Sequence, residues 1–120
     1  MPHLFSADVV KDAAISECGR YRWWLRRTWD TVFPPVCFLM LNPSTADASQ
    51  DDPTITRCIR FARTWGHGGI TVVNLFAWRA TDPKGLLAAE DPVGADNDRH
   101  IVIQTAGRRV IVAWGAIHQR

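Results

Sequence analysis

The chain has 120 residues, 47% of them hydrophobic, which gives room for one domain around one core. Its 14 basic and 12 acidic side chains leave a net charge of +2, which excludes a polycation holding nucleic acid by bulk charge alone. Three cysteines without C-x-x-C spacing and four scattered histidines indicate neither a disulfide framework nor a zinc site, so no metal and no cofactor is expected. No apolar run is long enough for a bilayer and no signal-peptide layout opens the chain; no membrane association and a cytoplasmic location are expected.

The first segment, Met1 to Ser16, shows no strong periodicity and reads as a loosely held lead-in. From Gly19 to Trp29, Tyr21, Trp23 and Leu25 alternate with Arg20, Arg22, Trp24 and Arg26, as in a half-exposed antiparallel strand or hairpin arm. The same interleaving of guanidinium groups and flat rings is found in grooves for single-stranded nucleic acid, and an amphipathic edge strand with its tryptophans in the core gives the identical pattern. Lys11 and Lys84 are the only lysines; the arginine excess suits phosphate and base edges, and codon bias would produce it as well.

Val36 to Leu41 is a continuous apolar run of strand length, closed by Asn42-Pro43. Asp52-Pro53 then starts a helix, aspartate capping free amides and proline being already set for the first helical position. Ile55, Cys58, Ile59 and Ala62 form its apolar stripe, with Arg57, Arg60 and Arg63 outside it. Gly66, Gly68 and Gly69 end the helix ahead of a second strand, Ile70 to Val73, halted by Asn74. Strand, helix and strand with short joins predict a parallel crossover. A short helix is expected from Thr81-Asp82-Pro83, a turn at Asp91 to Gly94, a helix from about Asp96 to Ala106, and a third buried strand, Val110 to Ala113, halted by Trp114-Gly115.

Ligands of open parallel sheets bind beyond the carboxyl ends of the strands, so the three strand exits are the candidate site. Asn42 and Asn74 each present a donor and an acceptor and suit a nucleobase edge, although an asparagine after a strand also makes a turn. Ser44 and Thr45 can donate to phosphate or close a local turn, and Arg79 can clamp phosphate or pair with Asp82. Asp47 is the freer carboxylate of the first loop, a candidate general base, while Asp52 reads as the helix cap. A metal-dependent phosphohydrolase would need more clustered carboxylates than Asp47, Asp51 and Asp52 supply.

Leu41 to Asp47 (LNPSTAD), Asp52 to Ile55 (DPTI), Val73 to Phe76 (VNLF), Arg79 to Pro83 (RATDP), Asp91 to Gly94 (DPVG) and Ala113 to Gly115 (AWG) together resemble a bacterial and phage family, domain of unknown function 1643, from about Cys18 onward. More distantly, Asn42-Pro43, Val72-Val73-Asn74 and Trp114-Gly115 through Gln119 occur in the order of three motifs of the uracil-DNA glycosylases. That second resemblance implies a three-layer α/β domain spanning residues 1–120, with a central mainly parallel sheet, helices on both faces and an N-terminal antiparallel arm. It implies that Asn42 positions water beside Pro43, that Asn74 reads a flipped base, and that Phe76 stacks on it. Asn42 stands where the motif has a carboxylate, and no His-Pro loop follows Trp114-Gly115, so a truncation at the carboxyl end is expected. The expected function is a nucleobase- or nucleotide-directed hydrolase cleaving an N-glycosidic bond, with nucleobase, nucleotide or DNA as its partner. The alternative is a non-catalytic binding module for the same ligands.

Overall fold

A computed structural model describes residues 9–79 and 89–113. They form strands β1 (Val10–Ile15), β2 (Arg22–Thr28) and β3 (Pro35–Met40), helix α1 (Pro53–Thr64), strand β4 (Gly69–Asn74), helix α2 (Asn97–Thr105) and strand β5 (Arg109–Val112). The five strands make one sheet in the order β1-β2-β4-β3-β5. The short helix expected from Thr81 and the exit at Trp114-Gly115 lie outside the described residues.

The predicted crossover is present: β3 pairs parallel with β4, Phe38 opposite Val72, and α1 lies between them in sequence. Strand β5 also pairs parallel with β3, Phe38 opposite Ile111. The other two ladders are antiparallel, β1 with β2 and β2 with β4. The sheet is therefore mixed, and the expected mainly parallel, glycosylase-like sheet between helical layers is not what this chain forms.

The physical reason lies in the amino-terminal third. Residues 10–15 form an edge strand whose first half is exposed, which is why no apolar period marks them in the sequence. A turn from Ser16 to Tyr21, with Gly19 at φ +76°, folds this strand onto β2. Strand β2 consequently sits inside the sheet between β1 and β4, antiparallel to both, where a half-exposed antiparallel strand or hairpin arm was expected. Its alternation is also broken. Ala14 faces Trp24 whereas Ile15 faces Arg22, so Trp23 is the extra residue of a bulge.

The core is built by Leu25, Val36, Phe38, Ile70 and Val72 from the sheet, Ala46 from the loop after β3, and Ile55, Cys58 and Ala62 from α1. The sequence stripe of α1 thus faces inward, with Ile59 packed at its margin. The helix starts as read. The Asp52 carboxylate accepts from the Ile55 amide at 2.9 Å, and Pro53 occupies the first turn. It ends in a Schellman motif: His67 N–H reaches the Ala62 carbonyl, Gly66 N–H reaches that of Arg63, and Gly66 takes φ +82°.

Helix α2 contacts β2 and β4, and its Gln104 side-chain carbonyl accepts from Arg26 at 2.7 Å. Strand β5, expected to be buried, is an edge strand with Val110 37% and Val112 57% exposed. Among the described residues no helix is long and apolar enough to cross a membrane.

Candidate functional site

Because β2 runs antiparallel to β4, the turn that precedes β2 stands beside the exits of β3 and β4. Three segments meet there. The Arg79 amide donates to the Arg20 carbonyl at 2.8 Å, the Arg22 amide donates to the Ala77 carbonyl at 2.9 Å, and Tyr21 bridges Trp78. Between them opens a cleft of about 420 Å³ lined by Gly19, Arg20, Ser44, Thr45, Trp78 and Arg79.

The lining is chemically consistent. Arg79 donates from one guanidinium nitrogen to the Gly19 carbonyl at 3.0 Å, which fixes the group, and among the described residues its other donors have no partner. The Arg20 guanidinium lies 6.0 Å from the centre of the Trp78 ring. Tyr21 meets the same indole edge-on, at 5.4 Å between centroids. Two cations, the Thr45 hydroxyl and one flat ring on a single cleft form a set that suits an anionic ligand carrying a planar group.

Of the residues read from the sequence, the cleft gathers Ser44, Thr45 and Arg79. The others lie around it in different states. Asn42 is half-buried and its amide donates to the Pro43 carbonyl at 3.2 Å; Pro43 itself is buried. Phe76 is half-buried, its backbone amide held by the Leu41 carbonyl at 2.9 Å. Asp47 accepts from the amides of Ser49 at 2.9 Å and Gln50 at 2.8 Å, making the turn of its own loop. Those amide hydrogen bonds, Ser49 first, hold its carboxyl below the usual aspartate value.

Asn74 is buried, and its side-chain carbonyl accepts from the Arg22 guanidinium at 3.3 Å. Arg22 also donates to the Ala46 carbonyl at 3.0 Å and is 1% exposed. Burial lowers its pKa to about 10, which leaves it charged at neutral pH. Asn97, at the start of α2, donates to the carbonyls of Asn74 and Leu75. A buried polar knot of Arg22, Asn74 and Asn97 therefore ties β2, β4 and α2 at the end of the sheet that carries the cleft.

Asp52 serves both the helix and the loop. Besides capping α1, its carboxylate accepts the Ser44 hydroxyl and, at 3.0 Å, the Ala46 amide. Burial opposes its ionisation, yet the Ser44 hydroxyl, the Ile55 and Ala46 amides and nearby Arg22 together hold it below the usual value. No group of three or more histidine, cysteine or acidic residues among the described residues is placed to hold a metal ion.

Sequence reasoning missed Arg20 and Trp78 as parts of one site. Their only signal was adjacency: Trp78 precedes Arg79 within the second strand exit, and Arg20 opens the Arg/Trp-rich run. Nothing in the sequence shows that the β1–β2 turn returns to that exit.

The fold and the cleft define a small mixed-sheet α/β protein with a cationic, ring-bearing cleft at its strand exits. The chain belongs to the family described as protein of unknown function, DUF1643, which it matches over residues 22–120. Comparison with curated proteins and with solved structures gave no match, so the likeness to uracil-DNA glycosylases rests on its three short motifs alone.

Proposed function

We propose that the chain is a nucleotide-binding module, its cleft holding phosphate through Arg79, Arg20 and Thr45 and the base against Trp78. The observation that carries this reading is the convergence of those side chains, from three separate segments, on one cleft. Guanidinium groups recognise phosphate through paired donors, and an indole face accepts any base. The free cysteines Cys18, Cys37 and Cys58 fit the reducing interior where nucleotides are found, and a cytoplasmic location is part of the proposal.

Glycosidic hydrolysis has weaker chemical support. It would need a base to activate water, and among the described residues the loop carboxylates Asp47 and Asp52 are both held below their usual pKa by the donors around them. A carboxylate stabilised in that way is a poor proton acceptor. Binding without turnover is the function the geometry supports best.

The test is calorimetric titration with nucleoside monophosphates, the matching nucleosides and inorganic phosphate, together with a chromatographic search for released base. Nucleotides bind more tightly than either part, and Arg79→Ala and Trp78→Ala each weaken them. Equal nucleotide affinity in both variants, or release of free base, contradicts the reading.

A further inference from the structure

Helix α1 carries three arginines and no acid. Arg57, Arg60 and Arg63 are all exposed, at i, i+3 and i+6, so they follow one ridge across the outer face. Neighbouring like charges on a helix destabilise it by a few tenths of a kcal/mol per pair, and a solvated face would be served as well by mixed signs. Among the described residues none of the three arginines is in an ion pair, since the pairs formed are Lys11–Asp51, Arg27–Asp51 and Arg99–Asp96. The acids next to the ridge are already engaged, Asp51 by Arg27 and Lys11, and Asp52 by its amide and hydroxyl donors. Among the described residues the ridge thus forms no ion pair, with Asp51 and Asp52 lining the same depression as Arg57 and Arg60.

One end of this track adjoins the cleft and the other carries a stacked ring. At its start Asp52 accepts the hydroxyl of Ser44, a residue lining the cleft, and a second depression of about 500 Å³ is lined by Asp51, Asp52, Pro53, Thr56, Arg57 and Arg60. At its far end the Arg63 guanidinium lies 4.5 Å from the centre of the Trp29 ring. On the other flank of the helix Phe61 and Trp65 stack at 5.5 Å, with Phe61 48% and Trp65 40% exposed. Arg109 reaches over Trp65 at 5.1 Å. A row of exposed guanidinium groups can hold successive phosphates, and a base that enters the cleft has to come from an unpaired strand.

We infer that the ligand is a single-stranded polynucleotide, with one nucleotide in the cleft and the following phosphates along Arg57, Arg60 and Arg63. This rests on the nucleotide reading of the cleft and extends it from a monomer to a strand.

Fluorescence anisotropy with a labelled homopyrimidine DNA strand of about ten nucleotides, long enough for a single-strand site, tests it over a range of salt concentrations. The strand is expected to bind at least about tenfold more tightly than the mononucleotide, each added base or phosphate contact contributing a factor of that order. In Arg57→Ala/Arg60→Ala the slope of log affinity against log salt shrinks by roughly 1.4, about 0.7 for each lost phosphate contact. Alanine suits an exposed helix position, so circular dichroism should show the helix intact, and Arg57→Lys/Arg60→Lys should restore most of the binding.

A strand that binds no tighter than the mononucleotide, or an unchanged salt slope in the alanine variant, overturns the track and leaves the cleft reading standing. Strand binding that depends on Arg57 and Arg60 without any mononucleotide affinity supports the track and removes the cleft reading. Equal affinity for duplex DNA, or displacement of the strand by polyglutamate at equal charge, overturns the assignment to single strands.

Discussion

Arg22 donates to the side-chain carbonyl of Asn74 at 3.3 Å, and each of the two residues is 1% exposed. The contact joins the start of β2 to the end of β4. It explains why the asparagine that halts β4 need not be a ligand contact: it neutralises one donor of a buried cation. Arg22→Met removes the cation but strands the Asn74 and Ala46 carbonyls, and a loss of about 2 to 4 kcal/mol in urea unfolding is expected from unpaired buried groups. A change within a few tenths of a kcal/mol would show that the knot is not structural.

Arg27 is 0% exposed and is better satisfied than Arg22. It pairs with Asp51 at 2.7 Å and donates to the carbonyls of Asp12, Arg26, Asp47 and Gln50. A lysine cannot reproduce that planar fork, so Arg27→Lys should cost about as much as Arg27→Ala, roughly 2 to 4 kcal/mol for leaving several carbonyls around the buried guanidinium unpaired. Thermal melting of both variants checks this, and a lysine variant with wild-type stability would contradict it.

The acid side of the stability profile depends on Asp52 and Asp47. Both carboxyls lie lower in the folded protein than their ordinary value. A depressed folded pKa contributes stability that is fully present above the unfolded value of about 3.9 and is lost as pH falls through the folded value. Unfolding free energy should therefore fall as pH is lowered from 5 towards 2. In Asp52→Asn that fall should be shallower, because one of the two linked groups is gone.

Gly94 adopts φ +89°, and a Cβ there would stand 2.8 Å from Cζ3 of Trp23. Gly94→Ala combines a strained backbone with a clash against a ring that stacks on Tyr21 and His100, so a loss of about 1 to 3 kcal/mol is expected. Melting temperature and tryptophan fluorescence should shift together. An unaltered emission spectrum would mean that the loop moves without disturbing Trp23.

What could be read from the sequence was decided by how far each contact reaches along the chain. Helix α1 was legible because Asp52-Pro53, the stripe from Ile55 to Ala62 and Gly66 are local signals, as were the apolar runs that became β3 and β4. Strand β1 was not legible, because half of it is exposed and its partner is set by the Ser16–Tyr21 turn. The alternation in β2 misled because arginine is normally an outward residue, and here Arg22 and Arg27 are buried in hydrogen-bonded seats supplied by the residue 46–51 loop. Ser44, Thr45 and Arg79 were found from strand-exit logic, whereas Arg20 reached the same cleft only through the β1–β2 hairpin.

The most direct test of the cleft as a nucleotide site is heteronuclear NMR with a nucleoside monophosphate added to the intact protein. Binding there predicts the largest shifts at the indole N–H of Trp78, the guanidinium Nε–H of Arg79 and Arg20, and the backbone amides of Ser44 and Thr45. Saturation without movement of these resonances, or shifts confined to the opposite end of the sheet around Trp29 and His67, would contradict the assignment.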